Sequence, residues 1–508
     1  MAELDLIPLV SPTAAKTSSH TRLIEVLDAL VRRSHGEPWG VRELAAELGE
    51  SRSTINRILL ALVARELAFE VGTGKYRLGP RLSVLTNALM TSSSLLECSS
   101  DALSQLAELT HTTALISICC PRSQGYFVAA CEQAKSSWMF RPELGVQYPL
   151  AFGDLGRAFK KHLDIHAESG THEGGSDEGA YMPEIEFPRA LSVVTRRLEN
   201  GLLIAVSVHS VHGESAPHEG RFDNEVASLA THLEETVARG LRTVRPGRMS
   251  VASEDQKSTT ARMEQLLLLT CAAPNGLQKT SDLSDQLVCN MATAKRLIES
   301  AVHTETAVSV NSLLFPGPRL YQWAARIGYC EDIACLTRSI VQELVQETGE
   351  TIAILSYDPM AGRAQFVDVI QGWRPIQYQL AVRTEVPLYA GAAGKAVLAY
   401  CDAEVVNGIK LVKITDTTIT SRSALEQELR IIEQRGWATG TGERVPGAFG
   451  MAVPFFADGR IRGSISATIP QYRKDDRDLP RLTQLMLEAS AKIGRLLSLG
   501  VTVGTDQP

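Results

Sequence analysis

No run of about 20 uncharged apolar residues occurs in the 508 residues, so no segment is expected to span a membrane. The opening stretch MAELDLIPLVSPTAAKTSSH has no basic head followed by an apolar run, and does not read as a secretory signal. Nine cysteines, an odd number at irregular spacings with no CxxC pair, argue against a zinc ribbon and against a disulfide framework. They suit a reducing cytoplasm, which is the expected location. GxSxG, P-loop and strand-linked GxGxxG motifs are missing, so no catalytic residue, metal or cofactor is expected. Asp475-Asp476 lies in the charged run RKDDRD and reads as a solvated face rather than an acid–base pair. His209, His212 and His218 are too loosely placed for a metal site, and Cys119-Cys120 point to opposite faces of one strand. A net charge of −7 excludes a general nucleic-acid coat, although residues 19–90 hold ten Lys+Arg against eight Asp+Glu.

What is present is a long internal repeat. Gly79-Pro80-Arg81-Leu82 recurs as Gly317-Pro318-Arg319-Leu320, and Arg22, Leu44, Thr54 and Arg57 match Arg262, Leu283, Thr293 and Arg296. The segment 146–159 matches 384–397. The offsets, from 262−22=240 to 387−149=238, are nearly constant, which predicts one two-part unit occurring twice.

The first unit predicts a helix from Arg22 to about Arg33, a second over Val41–Leu48, a turn at Gly49, and a third over Arg52 to about Arg65. Ser51 suits the N-cap of that third helix. Ile55, Ile58, Leu59 and Leu62 form its apolar stripe, leaving Ser51, Arg52, Ser53, Asn56 and Arg57 as candidate DNA-reading residues at its N-terminal end. Arginine can pair bidentately with guanine and asparagine with adenine in the major groove. Gly72-Thr73-Gly74 turns a hairpin whose Lys75 and Arg77 suit phosphate contact. This is a winged helix-turn-helix. In its second copy Met291 and Ala292 replace Arg52 and Ser53, Val288 replaces Gly49, and residues 304–315 hold no Lys or Arg. That copy is expected to be weak or silent in base reading.

VRELAAELGESRSTINRILLALVARELAFEVGTGKYRLGPRL, residues 41–82, and PLYAGAAGKAVLAY, residues 387–400, resemble the IclR family of bacterial transcriptional regulators. The resemblance implies a ligand-responsive repressor or activator that binds palindromic double-stranded operator DNA, working as a homo-oligomer or, in this tandem form, as an intramolecular pseudo-dimer. The fold class expected is α/β (α+β), two repeats, each a winged helix-turn-helix followed by a GAF-like effector-binding domain. The boundaries expected are a tail at 1–18, a DNA-binding domain at 19–82, a shortened effector-like domain at 83–241, a linker at 242–258, a degenerate winged helix at 259–322, an effector-binding domain at 323–500 and a tail at 501–508. A sensor that acts through a protein partner without DNA is the competing reading, and the exposed Arg52, Asn56 and Lys75 speak against it.

In the second effector module, Gly391, Ala392, Ala393 and Gly394 lead into a helix whose start could hold an anion. Ser466 and Thr468 share one face of a strand over 461–469. The resemblance makes these residues part of a pocket for a small organic acid, with Phe449 and Met451 expected as its apolar wall. The acidic residue and cysteine usual in the family align with Gly440 and Gly450, which is expected to widen the pocket. The first module has 201−149=52 residues where the second has 459−387=72, and carries Phe152, Asp154, Ser207 and His209 at matching positions. It is expected to have lost sensing.

Overall fold

A computed structural model describes residues 18–498 except 35, 134–139, 141, 164–187, 210–221, 244–257, 274–275, 279–280, 329–332, 360, 374–379, 381, 383–384, 458 and 476–477. The tails, most of the linker, the glycine-rich stretch 166–179, His212, His218 and Asp476 therefore lie outside the described residues. The chain divides into two compact units, within Met1–Tyr329 and within Cys330–Val501.

The first unit opens with α1 (Ser19–Arg32), β1 (Trp39–Gly40), α2 (Val41–Glu47), α3 (Arg52–Val63), β2 (Ala68–Glu70), β3 (Lys75–Leu78) and α4 (Pro80–Ser92). Local chemistry sets these limits. Ser18 and Ser51 each accept an amide from three residues on, at Thr21 (3.0 Å) and Thr54 (3.1 Å), and so fix where α1 and α3 begin. Gly49 takes φ +63° in the turn between α2 and α3, a conformation that costs glycine little. Pro80 occupies the first turn of α4, where no amide partner is needed. The short connection between α1 and α2 also supplies a strand: β1 pairs with β3, giving the order β1-β3-β2.

An α/β layer follows: α5 (Ser94–Thr110), β4 (Thr113–Cys120), β5 (Gly125–Gln133), β6 (Gln147–Pro149), α6 (Gly153–His162), β7 (Ala190–Arg197), β8 (Leu203–His209) and α7 (Asp223–Thr243). Its antiparallel sheet has the order β6-β5-β4-β8-β7. Every residue of β4 and β8 is buried, as central strands covered on both faces should be. Next come α8 (Thr259–Ala272), β9 (Leu277–Gln278), α9 (Ser281–Gln286), α10 (Met291–His303), β10 (Ala307–Val310), β11 (Leu313–Pro316) and α11 (Pro318–Ile327). These elements repeat the order of α1 through α4, and their sheet, β10-β11-β9, has the same topology as the first. The boundaries expected at 82/83 and 322/323 fall inside the continuous helices α4 and α11.

The second unit contains α12 (Ile333–Thr348), β12 (Thr351–Asp358), β13 (Arg363–Ile370), α13 (Ala392–Leu398), α14 (Ala403–Gly408), α15 (Arg422–Arg435), β14 (Ala438–Thr441), β15 (Ala448–Ala457), β16 (Arg460–Pro470) and α16 (Leu479–Leu497). The sheet order is β13-β12-β16-β15-β14, antiparallel throughout. An apolar core of α13 and α15 residues, including Val397, Leu398, Leu425 and Ile432, packs with Ala353, Leu355, Ala438 and Ala452. Gly394 lets α13 sit close to the preceding chain, since a Cβ there would lie 2.5 Å from the Pro387 carbonyl oxygen. No helix among the described residues is long and apolar enough to cross a membrane.

Candidate nucleic-acid interface and effector pocket

Ile55, Leu59 and Leu62 anchor α3 in the core, and Ile58 is half-buried beside them. Arg52, Ser53, Asn56 and Arg57 are left exposed on one face near the helix start. The Ser51 hydroxyl is engaged in the cap and lies 3.0 Å from Ser53 Oγ, so it positions the helix end. Lys75 is exposed at the wing, whose turn is closed by Gly74 N donating to Glu70 Oε1 at 2.6 Å. Arg77 differs: it is half-buried opposite Phe69, and its Nε is enclosed without a hydrogen-bond partner. Tyr76 between them is core, its burial raising the phenol pKa.

The matching helix α10 is capped by Asn290, whose side chain accepts Thr293 N at 2.9 Å. Met291, Ala292, Lys295 and Arg296 are exposed, and Lys295 lies 3.9 Å from Glu299. Val288 holds φ +46° where the first copy has Gly49. The left-handed turn is thus kept without the residue that favours it, at a cost of roughly 1–2 kcal/mol.

In the second unit a shallow recess of about 60 Å³, open to solvent, is lined by Gly391, Ala392, Ala393, Arg444, Ser466 and Thr468 among others. Three expectations need correction. Phe449 and Met451 do not face this recess. Side chains alternate along β15, so Ala448 and Gly450 line it while Phe449 and Met451 turn to the other face, where the Thr483 hydroxyl of α16 donates to Met451 Sδ at 3.3 Å. Gly394 is used for packing, not for the recess. Gly440 and Gly450, paired across β14 and β15, do not simply widen it. A Cβ at Gly440 would lie 2.9 Å from Ala392 N and one at Gly450 3.3 Å from Ala392 Cβ, so the vacated volume is filled by the start of α13.

The start of α13 already has an anion. Gly391 N donates to Glu443 Oε2 at 2.8 Å, and Lys395 Nζ donates to Glu443 Oε1 at 2.7 Å and Glu428 Oε1 at 3.2 Å. Lys395 is only 1% exposed. With seven residues and an internal carboxylate at its head, α13 offers little free dipole to a ligand. Ser464, not singled out from sequence, donates from Oγ to the Ala393 carbonyl at 2.9 Å and ties β16 to the loop. Ser466 Oγ points to the Ala353 carbonyl at 3.4 Å.

The cation facing the recess is Arg444. Its guanidinium lies 5.2 Å from the centre of the Phe366 ring, and among the described residues no carboxylate pairs with it. Burial pushes it below its ordinary pKa, the mark of a charge held away from water.

The first module fills the matching place with its own side chains. His209 pairs with Thr113 in the register where Thr468 pairs with Thr351. Its Nε2 is 3.0 Å from Ser207 Oγ and its Nδ1 2.9 Å from the Pro188 carbonyl. Burial lowers its pKa to about 4. Asp154 accepts Ala190 N at 2.9 Å and pairs with Arg157. A recess of about 230 Å³ remains beside them, so the module is altered in lining rather than closed. Among the described residues no group of three or more His, Cys, Asp or Glu could hold a metal.

A winged helix with an exposed polar recognition face, joined in one chain to an α/β domain with a recess, defines a ligand-binding transcriptional regulator. Residues 19–68 match the IclR helix-turn-helix domain, and residues 330–495 match the bacterial transcriptional regulator IclR C-terminal domain. The chain is 30% identical over 197 residues to the HTH-type transcriptional regulator BhcR of Paracoccus denitrificans, covering 37% of this chain and 68% of that one. It is 26% identical over 169 residues to KipR of Bacillus subtilis (32% and 67%) and 22% identical over 234 residues to the transcriptional repressor IclR of Escherichia coli (45% and 85%). The chain belongs to the IclR family: it is a DNA-binding transcriptional regulator with a helix-turn-helix domain and a C-terminal effector-binding domain.

Proposed function

We propose that this chain is a tandem-duplicated regulator in which the first winged helix reads operator DNA and the second effector module senses a small carboxylate. The observation that carries the DNA half is the exposed set Arg52, Ser53, Asn56 and Arg57 at the capped start of a helix that Ile55, Leu59 and Leu62 anchor in the core. Lys75 adds a phosphate contact from the wing, and Arg77 serves mainly to pack it. The duplication is supported by the steady sequence offset, by the shared N-caps and by the two wing sheets of one topology. The two winged helices act as an intramolecular pseudo-dimer within a cytoplasmic protein without enzymatic activity. The working domains are 19–92, 94–243, 259–327 and 333–497.

The sensing half rests on the recess walled by Gly391, Ala392, Ala393, Ser466 and Thr468 with Arg444 at its side. A desolvated guanidinium without an internal carboxylate partner favours an anionic ligand, and its planar fork suits a carboxylate. The small walls and Phe366 favour a compact body. Such a ligand shifts DNA affinity only by its preference for one of two states, typically about 1–3 kcal/mol of coupling. Calorimetry with monocarboxylates from acetate to benzoate tests the assignment. A charge-assisted bond is worth about 1.5–3 kcal/mol, so Arg444→Met should weaken binding by roughly ten- to a hundredfold. Undiminished binding in that variant would remove Arg444 from the site.

A further inference from the structure

The two winged helices keep one arginine in common and differ in the charges around it. Arg22 of α1 and Arg262 of α8 each donate the backbone amide to the carbonyl of the serine that caps the helix, Ser18 and Ser258, at 3.1 Å. In the first copy Arg22 is neutralised. Its Nε donates to Glu50, in the turn before α3, and the charges of Glu50 and Arg22 both act on the half-buried Glu25. Counting from the matching caps, Ser18 with Ser258 and Ser51 with Asn290, Gln265 stands at the place of Glu25 and Cys289 at the place of Glu50. The second copy has kept the arginine and lost both carboxylates.

Arg262 is left with a carbonyl. Its Nη2 donates to the Val288 oxygen at 3.3 Å, in the turn that holds φ +46°, and its Nε is enclosed without a hydrogen-bond partner. Two further basic groups gather there. Arg296 is exposed on α10 and donates to the Thr293 hydroxyl at 3.4 Å. His20 comes from the first copy, in the first turn of α1, which meets α10 where Ser18 Oγ and Ser300 Oγ lie 3.0 Å apart. Burial, with the charges of Arg296 and Arg262, holds His20 below its ordinary pKa. Among the described residues no carboxylate pairs with any of the three, and Glu299 on the same helix faces Lys295 at 3.9 Å. Two guanidiniums and an imidazole without a counter-charge leave an electropositive spot. The backbone does not force this. Glu50 N and Cys289 N make matching bonds to the Ala45 and Ser284 carbonyls, at 2.9 and 3.1 Å, so a carboxylate fits the turn. Guanidinium groups suit the oxygens of a phosphate.

We infer that Arg262, Arg296 and His20 form a phosphate site shared by the two winged helices, and that the DNA backbone fills it. This rests on the reading above that the winged helices meet DNA. The copy with Met291 and Ala292 at its reading positions then serves as an anchor. Phosphate contacts carry no sequence information but fix register, so the site sets how Arg52, Asn56 and Arg57 meet base edges.

Cys289→Glu, in the full chain, returns the carboxylate that the first copy has and tests the site. Affinity is measured by fluorescence anisotropy on DNA flanking the protein's own gene and on unrelated DNA, across a salt series. The expected result is a loss of roughly three- to tenfold at about 0.1 M salt on both DNAs and a salt slope smaller by about one, with the urea midpoint not lowered. Arg296→Gln, at an exposed position, should give the same loss without disturbing the fold. Titration of the native chain and Cys289→Glu with inorganic phosphate, followed by phosphorus NMR, separates the two sources of phosphate. Phosphate binding that disappears in Cys289→Glu while DNA affinity stays would overturn the DNA backbone as occupant. Unchanged DNA affinity, salt slope and phosphate binding in both variants would overturn the site. A failure of α3 to read bases would show differently, as equal native affinity for the two DNAs with the Cys289→Glu loss intact.

Discussion

Replacing Lys395 by methionine probes how the sensing domain is built. The substitution keeps the volume of the side chain and removes its charge. In the native protein the ammonium lies 2.7 Å from Glu443 and 3.2 Å from Glu428, and Glu443 also accepts the Gly391 amide. At an effective dielectric near 20 the Lys395–Glu443 attraction is about 6 kcal/mol before desolvation, and most of that is cancelled by taking both charges out of water. Removing only the lysine does not recover the cancelled part. It leaves the Glu443 carboxylate buried beside Glu428, and loss of one partner of a buried pair costs about 3–5 kcal/mol. Urea unfolding of the full chain, followed by the fluorescence of Trp437 with the other tryptophans replaced by phenylalanine, reads the second unit. The double variant Lys395→Met/Glu443→Leu should recover part of the loss, because no carboxylate is then stranded at that position. A cost below about 1 kcal/mol for Lys395→Met would refute the claim that this pair organises the loop.

Val288→Gly should stabilise the second winged helix by about 1 kcal/mol, since glycine relieves the left-handed strain at φ +46° but adds some unfolded-state entropy; a lower urea midpoint would contradict it. His209, with its folded pKa lowered to about 4 against 6.5 unfolded, binds fewer protons folded than unfolded between those values. Stability from this residue is present above about pH 6.5 and falls as pH drops toward 4, by about 2 kcal/mol between pH 7 and pH 5. His209→Gln should flatten that part of the pH profile of unfolding, and an unchanged slope would show that another group sets it.

The local parts of this structure are legible in the sequence. Ser51, Gly49 and Pro80 each act within a few residues of themselves, so the ends of α3 and α4 follow from chemistry that a short stretch of chain contains. The exposed face of α3 follows from its helical period. The pocket is legible only in part. Phe449 and Met451 cannot share a strand face with Gly450, and the register Gly440 to Gly450 decides which parity looks inward. That register is a long-range fact. Glu443 and Lys395, 48 residues apart, carry no local sign that one will neutralise the other at the head of α13. Arg444 carries no local sign of its role, since its lack of an internal acidic partner emerges only from the whole fold.

The central claim is that α3 reads DNA. Fluorescence anisotropy on DNA flanking the protein's own gene, with the native chain, Arg52→Ala/Asn56→Ala and Lys295→Ala/Arg296→Ala compared across a salt series, tests it most directly. Specific binding should be seen and should weaken with salt, as phosphate contacts require. Each bidentate contact is worth about 1–3 kcal/mol, so the α3 pair should lose roughly tenfold or more in affinity on the specific site and little on unrelated DNA. The α10 pair should weaken both kinds of DNA mildly and alike. Equal affinity for specific and unrelated DNA in the native chain, or full retention of specificity in Arg52→Ala/Asn56→Ala, would contradict the account.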